Sequence, residues 1–303
     1  MNQNKRKIRV RVLRGIALNR QPGFHFPGNF LDISFDRVGR RGTRLSLEPG
    51  PWCREADGQT DLATLTILAD LACGASVRAN LSREARVATV SLSLQFTGAP
   101  RTGRFVAAGE FQGFFRDGLG RLGLSRVSVE GGAGLVCYGT SSFMALQAPK
   151  NVTLHPVPLR KRTSPNPVLP DEKHLSREEK TILVRAEEAL SARGSFIGNF
   201  WGGAGKLDNG LHAGNRVGHA QGGILIALAA KSAAAKLSAH STCTWRLSGV
   251  SALYISPGEG RTLRARSTVV HQGGLTAVVN TIVTGKNRRL VLEVMSTHNA
   301  VSA

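Results

Sequence analysis

The hydrophobic and polar positions along the chain follow two different periods. Residues 61–79 (DLATLTILADLACGASVRA) and 222–237 (GGILIALAAKSAAAKL) are apolar on almost every face of a helix, which is typical of a buried helix. After each helix, apolar and polar residues alternate between glycine-rich breaks, which indicates successive antiparallel strands. These strands are predicted at 87–96, 103–114, 120–132 and 134–146 after the first helix, and at 245–255, 261–273, 275–285 and 288–298 after the second.

The two helix-and-strand units form an internal repeat. Leu68–Ala75 aligns with Leu228–Ala235 at an offset of 160 residues, and Phe96 aligns with Tyr254 at an offset of 158. Offsets that agree across a helix and a strand are the signature of a repeated architecture. One long apolar helix can be buried by its strands only if their sheet wraps around it. The sequence therefore predicts an α+β fold in which two repeats each wrap an antiparallel sheet around a central helix.

The length of 303 residues is about twice that of a typical domain. Residues 163–180 (TSPNPVLPDEKHLSREEK) combine prolines with charge and show no hydrophobic period, so they are the best candidate for a linker. We predict an N-terminal repeat in residues 1–150, a linker in 151–180 and a C-terminal repeat in 181–303.

Charge is the unusual part of the composition, because 40 Lys and Arg against 20 Asp and Glu give a formal net charge of +20. Such a surplus favours polyanionic partners. The basic residues are spread over both halves, and no basic and aromatic side chains alternate as on a base-stacking surface. A nucleic-acid partner is therefore not expected.

The four cysteines are scattered singly and form no Cys-x-x-Cys pair, which argues against a zinc site and against a disulfide framework. The basic N-terminus lacks the apolar run of a signal peptide. No segment approaches the ~18 uncharged apolar residues of a membrane span. We therefore expect a cytoplasmic protein with no membrane span and no metal.

The elements and their residues resemble the hotdog superfamily, specifically the acyl-CoA thioesterases of the phenylacetate-pathway type. In that family the central helix opens with His-Gly-Gly, carries Leu-Ala-Asp a little over two turns later, and is followed by a strand that begins with Thr or Ser. The first repeat resembles the second part of this pattern, with Leu68–Asp70 and Thr89. Asp61 and Leu62 stand where the family has His-Gly.

The second repeat resembles the first part of the pattern. It carries Gln221–Gly223 at the helix start and Asn215 six residues earlier, whereas Ala230 stands where the acid would be. Family members build each active site from two copies of the fold. The resemblance therefore implies a double hotdog with one composite site, at which an acyl-CoA thioester is hydrolysed to the free acid and CoA. It implies no cofactor, since CoA is part of the substrate, and it is compatible with homo-oligomers of the fused chain.

Asp70 is the predicted catalytic carboxylate, which either activates a water molecule as a base or attacks the thioester directly. A carboxylate in a buried helix is costly unless it is paired or used, and burial raises its pKa and strengthens it as a base. Thr89 is predicted to orient the carboxylate or the attacking water. The structural alternatives are that Asp70 only forms a hydrogen bond to a neighbouring strand or is exposed at the edge of its helix, and that Thr89 only begins a strand.

The start of the second helix is the predicted oxyanion site. Free N–H groups at a helix N-terminus can hold a developing negative charge, so Gly222 is a candidate donor. Asn215 would add a side-chain amide donor or tie down the turn. Gln221 and Gly223 are predicted to bind substrate, although Gly-Gly also suits close packing.

Two groups of residues have weaker predicted roles. Arg83 and Arg86 are candidate contacts for the CoA phosphates. His219 is a less favoured base, because it lies two residues before Gln221. The matching turn of the first repeat, with Asp57, Gln59 and Asp61, is predicted to be a degenerate second site because its partner acid is missing.

Two other functions stay open at this stage. The chain could be a non-catalytic acyl-CoA binding or sensing protein, which binds the thioester without releasing a thiol. The net charge also leaves open a nucleic-acid-binding protein, whose affinity for arbitrary duplexes would fall steeply with salt.

Overall fold

The computed structural model of the chain describes residues 3–21, 23–82, 84–116, 118, 120–147, 167–203, 205–239 and 243–301. In these residues six helices accompany one sheet. The helices are α1 (Gln3–Asn19), α2 (Phe26–Leu31), α3 (Leu62–Arg78), α4 (Arg177–Ser191), α5 (Phe196–Phe200) and α6 (Gly222–Ser238). The strands are β1 (Ser34–Val38), β2 (Gly42–Leu47), β3 (Ala85–Phe96), β4 (Phe105–Phe114), β5 (Leu122–Gly131), β6 (Gly134–Gln147), β7 (Lys206–Asp208), β8 (Thr244–Tyr254), β9 (Thr262–Gln272), β10 (Thr276–Thr284) and β11 (Leu290–Val301).

The described strands form one antiparallel sheet that runs through both repeats. Its order is β1-β2-β4-β5-β6-β3-β8-β11-β10-β9-β7. The repeats join where β3 pairs with β8, with Ser93 opposite Ser251 and their hydroxyl oxygens 3.1 Å apart. The α+β fold class predicted from the sequence is thereby confirmed.

The two long apolar helices are the buried centres of the repeats. α3 packs on strands of the N-terminal half of the sheet, and α6 packs on strands of the C-terminal half. Asp61 caps α3 by accepting a hydrogen bond from the N–H of Ala63 at 2.7 Å, and Gln221 caps α6 by accepting from the N–H of Ile224 at 3.1 Å. The sequence predicted both helices to within a residue or so, because apolar residues on all faces and a polar cap mark a buried helix.

The register of each repeat carries the same irregularity. In β3 the pairing with β6 shifts between Thr89 and Ser91, so Val90 has no partner in β6. In β8 the pairing with β11 shifts between Gly249 and Leu247, so Ser248 has no partner in β11. A bulge of this kind re-aims the neighbouring side chains. In the N-terminal repeat the residue without a partner in β6, Val90, is next to Thr89.

Two outer helices lie at the start of the N-terminal repeat and at the end of the predicted linker. α1 buries Ile8, Val12 and Ile16 at four-residue spacing between basic residues. α4 begins at Arg177, inside the predicted linker, behind a reciprocal cap between Ser176 and Glu179. Residues 151–166 of that linker lie outside the described residues.

Candidate active site

The central helices meet so that the N-terminus of each faces the middle of the other. Thr66 in α3 donates its hydroxyl hydrogen to the carbonyl oxygen of Gly223 in α6 at 2.8 Å. A Cβ at Gly223 would overlap the backbone of Thr66 and Ile67. Gly223 is therefore where the two helix backbones come into contact, and it is buried against α3 rather than exposed to a ligand. The packing role that the sequence left open for Gly223 is thus formed, and its substrate-binding role stays a prediction.

A cavity of about 400 Å³ lies beside this helix contact, and both repeats line it. α3, β3 and β6 form its N-terminal wall, and the turn before α6 together with the end of β8 forms its C-terminal wall. Most of the predicted site residues meet here: Asp70, Arg86, Thr89, Asn215, Gln221 and Gly222. Arg83 lies outside the described residues.

Asp70 is the central carboxylate of the cavity and bonds to both repeats. Thr89 donates its hydroxyl hydrogen to Oδ1 at 3.0 Å, and the amide nitrogen of Gln221 donates to Oδ2 at 2.8 Å. The carboxylate is buried, and burial raises the pKa of Asp70 to about 6, while the two hydrogen bonds act in the opposite direction. A carboxyl group with this pKa is largely ionised at neutral pH and can still accept a proton, as a general base must.

Gly222 is the first residue of α6, and its N–H belongs to the turn that has no acceptor within the helix. The preceding Gln221 side chain links this turn to Asp70, so the helix start and the carboxylate meet where the two walls of the cavity join. A Cβ at Gly222 would lie 3.2 Å from Asp70 Oδ2. Glycine thus keeps the approach to the carboxylate open.

Asn215 holds the turn that precedes α6. Its side-chain oxygen accepts hydrogen bonds from the N–H groups of Val217 and His219 at 3.0 and 3.1 Å. Of the two uses expected for Asn215, the turn contact is thus formed. Because its oxygen is engaged, the amide nitrogen is the atom that could donate to a substrate.

Sequence reasoning missed three residues that line the same cavity. Tyr254, at the end of β8, donates its hydroxyl hydrogen to the carbonyl oxygen of Gly222 at 2.9 Å. Arg78 and Arg216 are half-buried, and burial together with the Arg78 charge lowers the pKa of Arg216. Only the alignment of Tyr254 with Phe96 could have drawn attention to that tyrosine.

His219 also lines the cavity, with its Nε2 3.4 Å from a carboxylate oxygen of Glu259. Burial lowers the pKa of His219, and the Glu259 charge opposes this only in part. The His219 side chain pairs with Glu259 and not with Asp70. It therefore lines the cavity without contacting the central carboxylate.

The mirror position in the N-terminal repeat holds an ion pair. Asp61 is fully buried, and its Oδ2 lies 2.6 Å from Nζ of Lys231 in α6. Asp57 accepts a hydrogen bond from the N–H of Gln59, and Gln59 accepts one from the N–H of Arg101. The polar groups of this turn are thus paired with protein groups.

Two further features bear on ligands and surroundings. Within the described residues, no group of three or more His, Cys, Asp and Glu side chains has the arrangement to hold a metal ion. Among the helices that the structure describes, none combines the length and apolar character needed to cross a membrane.

Comparison with known proteins gives likeness in structure but not in sequence. Neither a protein-family model nor a curated protein matches the chain. A provisionally named oleoyl thioesterase from Lactobacillus plantarum is 11% identical with a TM-score of 0.56, and the match covers 88% of this chain and 100% of that one. A provisionally named thioesterase from Novosphingobium aromaticivorans is 12% identical with a TM-score of 0.55, over 89% of this chain and 99% of that one.

A third solved structure is described by its fold. It is a protein of unknown function with a hot dog fold from Alicyclobacillus acidocaldarius, 10% identical with a TM-score of 0.53, and the match covers 89% of this chain and 96% of that one. At these identities the likeness concerns the fold. With two helices each wrapped by its half of one antiparallel sheet, and matches that span nearly the whole chain, this protein is a double hotdog, as the sequence predicted.

Proposed function

We propose that the chain is an acyl-CoA thioesterase, which hydrolyses an acyl-CoA thioester to the free acid and CoA at one site built from both repeats. The observation that carries the proposal is the buried Asp70 carboxylate, which α3 of one repeat holds beside the first N–H of α6 from the other. A base and an oxyanion donor in the same cavity are the two groups that thioester hydrolysis requires.

In the proposed reaction Asp70 takes a proton from a water molecule whose oxygen attacks the thioester carbon. The electron pair of the carbonyl moves to its oxygen, which accepts hydrogen bonds from the Gly222 N–H and from the Asn215 amide nitrogen. When the carbonyl re-forms, the carbon–sulfur bond breaks and the CoA thiolate leaves. A thiolate is a fair leaving group, so the site needs no strong general acid.

The cations of the cavity suit the other end of the substrate. Arg78, Arg86 and Arg216 line it, and guanidinium groups bind phosphate oxygens in a bidentate manner. CoA carries several phosphate charges, so we assign these arginines to its nucleotide part. The net charge of +20 would steer such an anion toward the cavity.

The test is thiol release from a panel of acyl-CoAs of increasing chain length. Wild type should release CoA from at least one of them, and Asp70→Asn should lower kcat/KM by about 10²- to 10⁴-fold. Asp57→Asn is the matched control, because it makes the same change in the mirror turn and should keep full activity. Cys243 is exposed, so a blank with protein alone is subtracted from each thiol reading.

Two results would count against the proposal. Equal rates for wild type and Asp70→Asn would remove Asp70 from the mechanism. Tight binding of acyl-CoA by a wild type that releases no thiol would favour the alternative, a non-catalytic acyl-CoA binding or sensing protein.

A further inference from the structure

Tyr254 joins the two parts of the proposed site. Its hydroxyl donates to the Gly222 carbonyl oxygen at 2.9 Å, and the side chain lines the cavity. Burial and the nearby Asp70 charge both raise the pKa of Tyr254 well above its ordinary range. The phenol therefore stays protonated, and its single hydrogen is engaged by Gly222.

The space between Tyr254 and Asp70 is marked out by Gly222. A Cβ on that glycine would lie 3.0 Å from the Tyr254 hydroxyl oxygen and 3.2 Å from Asp70 Oδ2. Both of these oxygens therefore border the same small opening above the first turn of α6. Each can accept a hydrogen bond there, the first through a lone pair and the second through its carboxylate charge.

We infer that Tyr254 positions the attacking water, an inference that rests on the proposed function. A water molecule in this opening donates one hydrogen to Asp70 Oδ2 and the other to the Tyr254 oxygen, so a lone pair is left to face the thioester carbon. As the new carbon–oxygen bond forms, the first hydrogen passes to Asp70 as a proton, and the carbonyl electron pair passes to the oxyanion. Tyr254 transfers no proton and acts through the water.

The mirror repeat supplies the natural comparison. Phe96 ends β3 as Tyr254 ends β8, at an offset of 158 residues, and it has no hydroxyl group. The mirror junction, where the turn of residues 55–61 leads into α3, also lacks the equivalents of Gly222 and Asp70. Leu62 stands at the place of the glycine, and Ala230 stands at the place of the carboxylate. The hydroxyl is thus present only in the repeat position that borders Asp70, and phenylalanine is accepted by the same fold.

The test compares Tyr254→Phe with Tyr138→Phe on the thioester that wild type hydrolyses best. The chain has two tyrosines, and Tyr138 is exposed on the sheet. Tyr254→Phe should lower kcat about 10- to 100-fold with KM within about twofold, because a misplaced nucleophile slows the chemical step. Tyr138→Phe should match wild type.

A second measurement separates a loss of water positioning from a purely structural effect of the substitution. Hydroxylamine attacks thioesters without a positioned water, so the ratio of hydroxamate to free acid in the enzyme-catalysed product should rise in Tyr254→Phe. Gly222→Ala fills the same opening and should also depress hydrolysis more than acyl-CoA binding.

An unchanged kcat in Tyr254→Phe overturns the inference. So does a loss that lowers the hydroxamate and the free acid equally, since this would place the effect on the oxyanion side through Gly222. A wild type without thioesterase activity would instead contradict the proposed function itself, and the two failures are therefore distinguishable.

Discussion

The two turn-and-helix junctions of this protein share a backbone and differ in chemistry. In each turn a residue donates its N–H to the carbonyl four residues on, Glu55 to Gln59 and Asn215 to His219. Each turn also has a glycine with positive φ at the same place, Gly58 and Gly218. The backbone of the turn is thus the same at both junctions, whereas only one of them has a carboxylate that lines the cavity.

The difference lies in how the cap of one helix meets the middle of the other. We call the junction of residues 215–222 the working junction, because it borders Asp70. There the Gln221 amide donates a hydrogen bond to the Asp70 carboxylate, and burial raises the pKa of Asp70. At the mirror junction the Asp61 carboxylate meets the Lys231 ammonium. Asp61 also caps α3, so both of its carboxylate oxygens are engaged by protein groups, Oδ1 by the Ala63 N–H and Oδ2 by Lys231.

The strands beside the two junctions also differ in their side chains at corresponding places. Thr89 and Val87 of β3 line the cavity, whereas Leu247 and Trp245 hold the corresponding places in β8. Trp245 packs with the small cluster of Ala233, Leu237, Ala277 and Val279. The comparison teaches that the same backbone can hold a polar cavity at one junction, and apolar packing and an ion pair at the other.

The largest expected effect comes from replacing Gln221, the N-cap of α6, by an acid. The mirror junction already has an acid, Asp61, as the N-cap of α3. Gln221→Glu is nearly isosteric and would bring a second carboxyl to about the 2.8 Å that now separates the amide from Asp70. Two carboxyls at this distance share a proton, and Leu71 stands where the mirror junction has its lysine. We expect kcat/KM at pH 7 to fall about a thousandfold and to recover partly at pH 9.

Gln59→Glu serves as the control, since it makes the same change in the mirror turn and should leave hydrolysis unaltered. Activity of Gln221→Glu within about threefold of wild type at pH 7 would show that Asp70 does not act as a base.

Breaking the mirror ion pair should affect stability and spare activity. Lys231→Leu leaves the fully buried Asp61 without its cation, and such a loss costs about 3–5 kcal/mol. The double variant with Asp61→Asn should recover most of this, because asparagine still offers an oxygen to cap α3. Denaturant unfolding measures both, with thioester hydrolysis as the control. A loss below about 1 kcal/mol in the single variant would mean that the pair does not hold the repeats together.

The sequence predicted the central helices and eight of the eleven described strands, and most of its candidate site residues meet in the cavity, but it missed β1, β2 and β7. These features depend on local periodicity and on the repeat, which a single chain displays. α1 escaped because its apolar positions Ile8, Val12 and Ile16 are separated by basic residues, and the start of α4 escaped although its Ser176–Glu179 cap is a readable signal.

Other features could not be predicted because they depend on contacts between distant elements. Tyr254 comes from the end of β8, and only the closed fold shows that its hydroxyl reaches Gly222. The sequence allowed Gly223 either a ligand or a helix partner, and only the crossing of α3 and α6 shows that the helix contact is formed. For Asn215, likewise, only the folded turn shows that its side-chain oxygen accepts hydrogen bonds from Val217 and His219.

The smallest expected effect concerns the pH dependence of the working junction. Asp70 must be ionised to act as a base, so hydrolysis should rise with pH through its pKa of about 6 and then level off. The Thr89 hydroxyl donates to Oδ1 and lowers that pKa, against the larger effect of burial. Thr89→Val removes the donor, and Leu247 at the mirror position shows that an apolar side chain fits the fold.

Thr89→Val should therefore move the midpoint of the pH–rate profile upward by up to about one pH unit, the worth of one hydrogen bond to a charged group. The variant would lose up to about tenfold in rate at pH 5 and little at pH 8. The free energy of unfolding should change with pH in the direction opposite to the rate. A raised carboxyl pKa means that the folded state binds the proton more tightly than the unfolded chain does. The free energy of unfolding should thus fall as pH rises from about 4 through the folded pKa, and it should fall further in Thr89→Val. A midpoint that stays in place or moves downward would show that Thr89 does not stabilise the charged carboxylate.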